Sequence, residues 1–235
     1  MYAIPTSKTL PLAPLRPNKK GRYIGDKIGM IIPNITARTI AFLASALNDF
    51  LSFSPIAIAD NAAICYGSKP TEKMVSNLVH NQKHLAVLRF AYATVHVEGI
   101  SIACQNQLVR SKHLDFMVES KRYVSANKGE FKFIYPDGID QRTKLRMWEV
   151  WNNAIWTYQD LLSLGVKKED ARAILPANTS TKMNITGNLQ GWMDFMKLRL
   201  NSHAQLEIRT LASKIYDLLS EVYPRVFTNE LKEQL

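Results

Sequence analysis

The sequence predicts an α+β fold with many helices and a few strands. Three observations carry this reading. Long segments repeat apolar residues at helical spacing. Two stretches, 90–97 and 131–135, instead show the aromatic, β-branched or alternating residues of strands. The order of these segments lacks the regular strand–helix alternation of a doubly wound sheet.

Residues 1–20 hold Pro5, Pro11, Pro14 and Pro17 and end in Lys19-Lys20 before Gly21. Proline fixes φ and removes a donor, so this stretch reads as an extended arm ahead of a single domain over 21–235. From Thr36 to Phe50, Ile40, Phe42, Leu43, Ala46, Leu47 and Phe50 recur as on one helix. A second helix runs from about Thr71 to Asn81, after Ser68-Lys-Pro70. Phe90 to Val97 reads as a strand closed by Glu98-Gly99, and Ser101 to Arg110 as a helix. Phe131 to Tyr135 alternates and stops at the turn signal Pro136-Asp-Gly138. A long helix from Gln141 to Leu164 turns Trp148, Trp151, Ile155 and Trp156 inward, with Gly165 as its C-cap. A helix over Gly187 to Leu200 follows. Ser202 to Gln205 fits a capping box for a last helix from His203 to about Val222, before Pro224.

Composition narrows function. The 235 residues are 46% hydrophobic and 21% charged, which suits a globular core and excludes a mainly disordered chain. Thirty Lys+Arg against twenty Asp+Glu give +10, which favours anionic partners: nucleic acid, acidic membrane surface or phosphorylated small molecules. Cys65 and Cys104 are too few for a disulfide framework or a Cys-rich zinc site, and no metal site is expected. Cys104, beside apolar residues on its helix, reads as core. No apolar run approaches the ~20 residues of a membrane span, so a soluble, cytoplasmic protein is expected. Dinucleotide-binding, phosphate-loop, zinc-protease and nucleophile-elbow motifs are missing. The basic charge forms no stripe with interleaved aromatics, so a nucleic-acid module is disfavoured against small phosphorylated ligands.

Two basic–polar clusters stand out. The first, Gln107 to Tyr123, holds Arg110, Lys112, His113, Lys121 and Arg122, with Leu114, Phe116, Met117 and Val118 between them. Cations on an anchored loop can bind phosphate, and Arg suits bidentate contacts; a solvated charged helix face is the competing reading. In the second, Asn188, Trp192, Phe195 and Arg199 share one helix face. An Arg on a stripe with Trp and Phe needs a carboxylate, carbonyls or an anionic ligand. An ion pair with Glu207 and a ligand role are both open on spacing alone, and His203 is equally ambiguous.

Several blocks resemble the flavin-dependent thymidylate synthase (ThyX) family. Leu198-Arg199-Leu-Asn-Ser202-His203-Ala204-Gln205-Leu-Glu207-Ile208 is similar to its L-R-x-D-x-H-A-Q-x-E-I signature. Ala171-Arg172-Ala-Ile-Leu175-Pro176 is similar to A-R-x-x-L-P, and Ala62-Ala-Ile-Cys65-Tyr66-Gly-Ser68 to A-R-x-C-Y-x-S. His84 sits at the start of H-x-S-x-x-E-H. The matches are in family order over about residues 60–210. Against the central motif R-H-R-x-x-S-x-N-E-x-S-x-R-Y the chain keeps Arg110, Ser120, Arg122 and Tyr123, with Gln107 before it. Ser111 replaces the His, Lys112 the second Arg, Asp115 the first Ser, and Met117-Val118 the Asn-Glu, unless a one-residue slip lets Glu119 serve. Elsewhere Ala63 replaces an Arg, Arg89-Phe90 replaces Glu-His, Gln190 an Arg and Asp194 an Asn.

The resemblance implies a mostly helical fold with a small antiparallel sheet, and an enzyme that converts dUMP to dTMP with reduced FAD, methylenetetrahydrofolate and NADPH. It implies that Gln107, Ser120, Arg122, Arg172 and Arg199 bind the pyrimidine nucleotide, with Arg199 and Ser120 as catalytic candidates. It assigns His84, Arg110, Lys112, His113, Asn188, Gln190 and Asp194 to cofactor binding, with Lys121 near the flavin pyrophosphate. It also implies a homotetramer with shared active sites. The departures leave two alternatives: a hydroxymethylating or dCMP-specific enzyme, and a non-catalytic nucleotide-binding paralogue.

Overall fold

The computed structural model describes residues 55–124 and 131–235. The arm over 1–20, its boundary with the domain and the helix expected over Thr36–Phe50 lie outside the described residues. The fold is α+β, as expected, and its sheet is small and antiparallel.

Helix α1 spans Pro55–Tyr66 and was not foreseen, because Ala-Ile repeats gave no clear apolar face. Helix α2, Glu72–Ser76, starts where Thr71 accepts a hydrogen bond from the Met74 N–H, and it continues as a π-helical turn over Asn77–Asn81. A 3-10 turn, Leu85–Phe90, leads into strand β1, Tyr92–Ser101. β1 runs past Glu98-Gly99 because a bulge there lets the strand continue; Gly99 takes up φ +73°. Helix α3, Ile102–Leu108, is capped by Ser101, whose Oγ accepts from the Cys104 N–H at 2.9 Å.

Strand β2, Leu114–Val118, corrects the reading of this basic cluster as a loop or helix face. Helix α4, Gln141–Ser163, matches expectation and is capped by Asp140. It buries Trp151, Ile155 and Tyr158, whereas Trp148 and Trp156 are only half-buried. Gly165 follows its end at φ +86°, the left-handed conformation that glycine tolerates. Short helix α5, Lys168–Ala171, and a 3-10 turn, Arg172–Ile174, precede strand β3, Ser180–Asn188. Helix α6 is Leu189–Arg199, α7 is Leu206–Val222 and α8 is Asn229–Gln234.

The three-stranded sheet has the order β1-β3-β2, so the latest strand in sequence sits in the middle. It pairs Thr94 with Thr186 on one side and Asp115 with Thr186 on the other. β3 went unseen because its inward residues are Thr181, Met183, Ile185 and Gly187, a weak apolar signal despite clean alternation with exposed Lys182 and Asn184. The strand expected over Phe131–Tyr135 is reduced to one bridge, Phe133 to Thr179. Its aromatics serve packing: Phe131, Phe133, Trp151, Ile155, Tyr158 and Ala171 form a second core beneath α4. The main core packs the sheet against α3, α6 and α7 around Trp192, Phe195, Ile215 and Leu219.

The expected capping box at Ser202–Gln205 does not form. α7 begins three residues later than expected, and Gln205 at its N-cap makes no side-chain bond to the helix. Among the described residues no helix is long and apolar enough to cross a membrane.

Candidate active site

Arg199 ends the apolar stripe of α6. Trp192 and Phe195 on that stripe are 0% and 2% exposed. The Trp192 indole N–H donates to the Ala93 carbonyl at 3.1 Å, which fixes α6 on β1. One turn beyond Phe195, the Arg199 Nη2 donates to the Gln107 carbonyl at 2.6 Å, an acceptor that the last turn of α3 leaves open. Its Nε is buried with no partner. Burial first, and the Arg110 charge second, hold the guanidinium below the ordinary arginine range.

The ion pair with Glu207 is not made. Glu207 instead accepts from the Ser101 N–H at 2.7 Å and the Ser101 hydroxyl at 2.6 Å, at the start of α3. The Gln107 amide donates to the Gln205 side-chain carbonyl and, at 3.4 Å, to the Ala103 carbonyl. Arg199, Gln107 and Gln205 therefore form one hydrogen-bonded group. Gln205, expected only to cap the last helix, instead holds the Gln107 amide.

A second group gathers on α5. The Arg122 Nη2 donates to the Glu169 carboxylate at 2.8 Å, and the Arg172 Nε to the Glu169 main-chain carbonyl at 3.1 Å. Ser120 accepts from the Arg122 N–H at 3.3 Å through its hydroxyl. Arg122 and Arg172 are exposed. Glu169 is a residue the sequence reading missed. Among the described residues no hydrogen bond or ion pair joins this group to that of Arg199.

The third group surrounds the first turn of α6. Asn188 caps the helix, its side-chain oxygen accepting from the Gly191 N–H at 2.9 Å. The turn carrying Arg110, Ser111, Lys112 and His113 rests on this junction. His113 adopts φ +63°, and a Cβ on Gly191 would lie 2.5 Å from the His113 carbonyl oxygen. A Cβ on Gly187 would lie 2.8 Å from the same atom. Both positions therefore need glycine so that the basic turn can approach. The Arg89 Nε donates to the Gln190 side-chain oxygen at 2.8 Å. Ser111 is buried and its hydroxyl has no partner.

Other candidates fall elsewhere. Lys121 does not face the basic turn: it is 8% exposed, binds Glu119 and the Ser180 carbonyl, and lies 4.5 Å from the centre of the Phe131 ring. Glu119 is thereby committed, also lying 3.6 Å from Lys182. His84 is exposed, with its Nδ1 2.8 Å from the Tyr66 hydroxyl. Asp194 lies one turn after Gln190 on the exposed face of α6, 3.9 Å from Lys197.

These groups hold guanidinium and ammonium side chains on main-chain carbonyls, on carboxylates and, at Arg89, on a side-chain amide. Arg89, Arg110 and Lys112 have no carboxylate partner among the described residues, and a diphosphate-bearing flavin fits that donor set. The unpartnered Ser111 hydroxyl beside them fits as well. The fold and sites thus define an α+β protein that holds guanidinium groups in several clusters.

Comparison with known proteins sharpens this class. Residues 49–225 match the family model described as thymidylate synthase complementing protein. The chain is 31% identical over 189 residues to a flavin-dependent thymidylate synthase of Mycobacterium avium, covering 70% of this chain and 75% of that protein. The same-named protein of Mycobacterium tuberculosis is 32% identical over the same coverage. That of Sulfurisphaera tokodaii is 35% identical over 142 residues, 60% of this chain and 55% of its own. The chain belongs to the thymidylate synthase complementing protein family.

Proposed function

We propose that the chain transfers a one-carbon unit from methylenetetrahydrofolate to C5 of dUMP, using reduced FAD, with NADPH as reductant, in the cytoplasm. The relatives' name supports thymidylate synthesis over the dCMP, hydroxymethyl and non-catalytic alternatives. The observation that carries the mechanism is Arg199: a guanidinium anchored at one nitrogen, with a buried Nε still unpaired.

Arg199 meets the pyrimidine carbonyl and N3 edge. As C5 becomes nucleophilic, negative charge grows on that edge and the guanidinium stabilises it. The Gln107 carbonyl fixes the orientation of Arg199 beforehand, so little reorganisation is needed, and such preorganised charge contributes several kcal/mol in a water-poor site. Arg199 stays charged despite its lowered pKa, because arginine starts far above neutrality. Arg122 and Arg172 clamp the phosphate. Glu169 occupies Arg122 in the free protein, and the dianionic phosphate competes for that guanidinium. Gln107 and Ser120 orient base and phosphate.

Arg110, Lys112, His113, Asn188 and Gln190 would hold FAD, with His84 and Asp194 assigned by resemblance. Bound FAD supplies the redox chemistry of the one-carbon transfer. The family resemblance supports a homotetramer in which subunits complete one another's sites.

Incubation of the protein with FAD, methylenetetrahydrofolate, NADPH and either dUMP or dCMP tests the proposal. It predicts dTMP from dUMP. Turnover of dCMP alone, or a hydroxymethylated product, contradicts it.

A further inference from the structure

Arg89 reaches across the chain from the 3-10 turn Leu85–Phe90 to Gln190 in the first turn of α6. Its Nε takes the Gln190 oxygen, which leaves the two terminal nitrogens as donors. The residue is exposed, and among the described residues no carboxylate pairs with it. The contact therefore holds a fixed cation at the positive end of an eleven-residue helix, an arrangement that electrostatics disfavours unless an anion joins it. A second observation points to a ligand at the same junction. The adjoining turn places the His113 carbonyl against Gly191, and Ser111 in that turn keeps a hydroxyl that is buried, 9% exposed as a residue, and without a partner.

We propose that Arg89, positioned by Gln190, is a binding cation for the phosphate arm of the flavin dinucleotide. The proposal rests on the flavin-dependent function above. It also brings two departures from the family pattern together. The chain carries Arg89 where the resemblance has Glu, and Gln190 where it has Arg. The two positions touch, so both departures fall on a single contact.

The test is titration of the purified full-length chain with FAD and, separately, with riboflavin, which lacks phosphate, followed by flavin fluorescence. Arg89→Gln should weaken FAD binding about ten-fold, the worth of one charge-assisted hydrogen bond, and leave riboflavin unchanged. Where riboflavin binds too weakly to titrate, the salt dependence of FAD affinity is the readout, and it should be shallower in Arg89→Gln. Arg89→Glu alone should lose FAD binding, and adding Gln190→Arg should restore it. Unchanged FAD affinity in Arg89→Gln, an equal loss for riboflavin, an unaltered salt dependence, or no rescue by the double exchange overturns the proposal and leaves the flavin reading standing. If the unaltered protein binds neither compound, the flavin reading falls, and the proposal with it.

Discussion

Arg199 and Arg122 are both read as nucleotide-binding, yet the fold holds them in opposite ways. Arg199 ends a buried helix stripe, docks on a main-chain carbonyl and keeps a buried, unpaired nitrogen. Arg122 is exposed, and its partner is a surface carboxylate. A guanidinium fixed by core packing is ready for charge that appears during reaction. One held by a surface ion pair is ready to exchange that pair for a phosphate. Position in the core thus separates a group suited to the transition state from groups suited to capture.

The largest expected effect sharpens that contrast. Arg199→Leu should lower kcat by about 10²–10³, as loss of a preorganised charge does, with a smaller change in dUMP affinity. Arg199→Lys should not restore the rate, since an ammonium cannot hold the Gln107 carbonyl and the base edge in one plane. Arg172→Ala should instead raise KM for dUMP about ten-fold or more while kcat changes less. Steady-state kinetics that show the same kcat–KM pattern for both residues would erase the distinction.

Next comes Gly191→Ala. Its Cβ would meet the His113 carbonyl oxygen at 2.5 Å, so the basic turn must move. A loss of about 1–3 kcal/mol in urea unfolding is expected, with weaker FAD binding. Smaller still is Glu169→Gln. It breaks a surface ion pair, so stability should change by less than about 1 kcal/mol, while dUMP affinity rises because Arg122 is released. Weaker dUMP binding in that variant would show that Glu169 orients Arg122 and does not compete for it.

The smallest effect is a pH dependence. Burial, with the Glu207 charge adding and Arg199 opposing, pushes the Cys104 thiol well above its usual value near 9. Above that value the unfolded thiol ionises and the folded one does not. The unfolded chain then binds fewer protons, so stability falls as pH rises. The Tyr216 phenol, also raised by burial, acts in the same direction from about pH 10. Cys104→Ala should flatten the decline of the urea midpoint between about pH 8.5 and 10.5 without removing it.

Much of this was legible in residue patterns. α4 and α6 announce themselves by apolar spacing, and β1 by its aromatic and β-branched run. β3 was hidden because a central strand carrying Thr, Gly and Asn has little apolar contrast. β2 was hidden by the charges around it, which say nothing of backbone conformation. At the site, Arg199 was marked by its place on an apolar stripe, but its partner was not. Glu207 was the nearer candidate in sequence, and α3 claimed it through Ser101. Glu169 and Arg89 are contacts between distant segments, set by tertiary packing, so local spacing carried no trace of them.

The central claim is that Arg199 and Arg172 act on one pyrimidine monophosphate beside the flavin. Titrating dUMP into the FAD-loaded protein while recording the flavin absorbance spectrum tests it most directly. A saturable spectral change in the unaltered protein, shifted to much higher dUMP in Arg172→Ala and altered in amplitude with only a modest shift in Arg199→Leu, is the predicted result. A change that survives unaltered in both variants at the original dUMP concentration would contradict it.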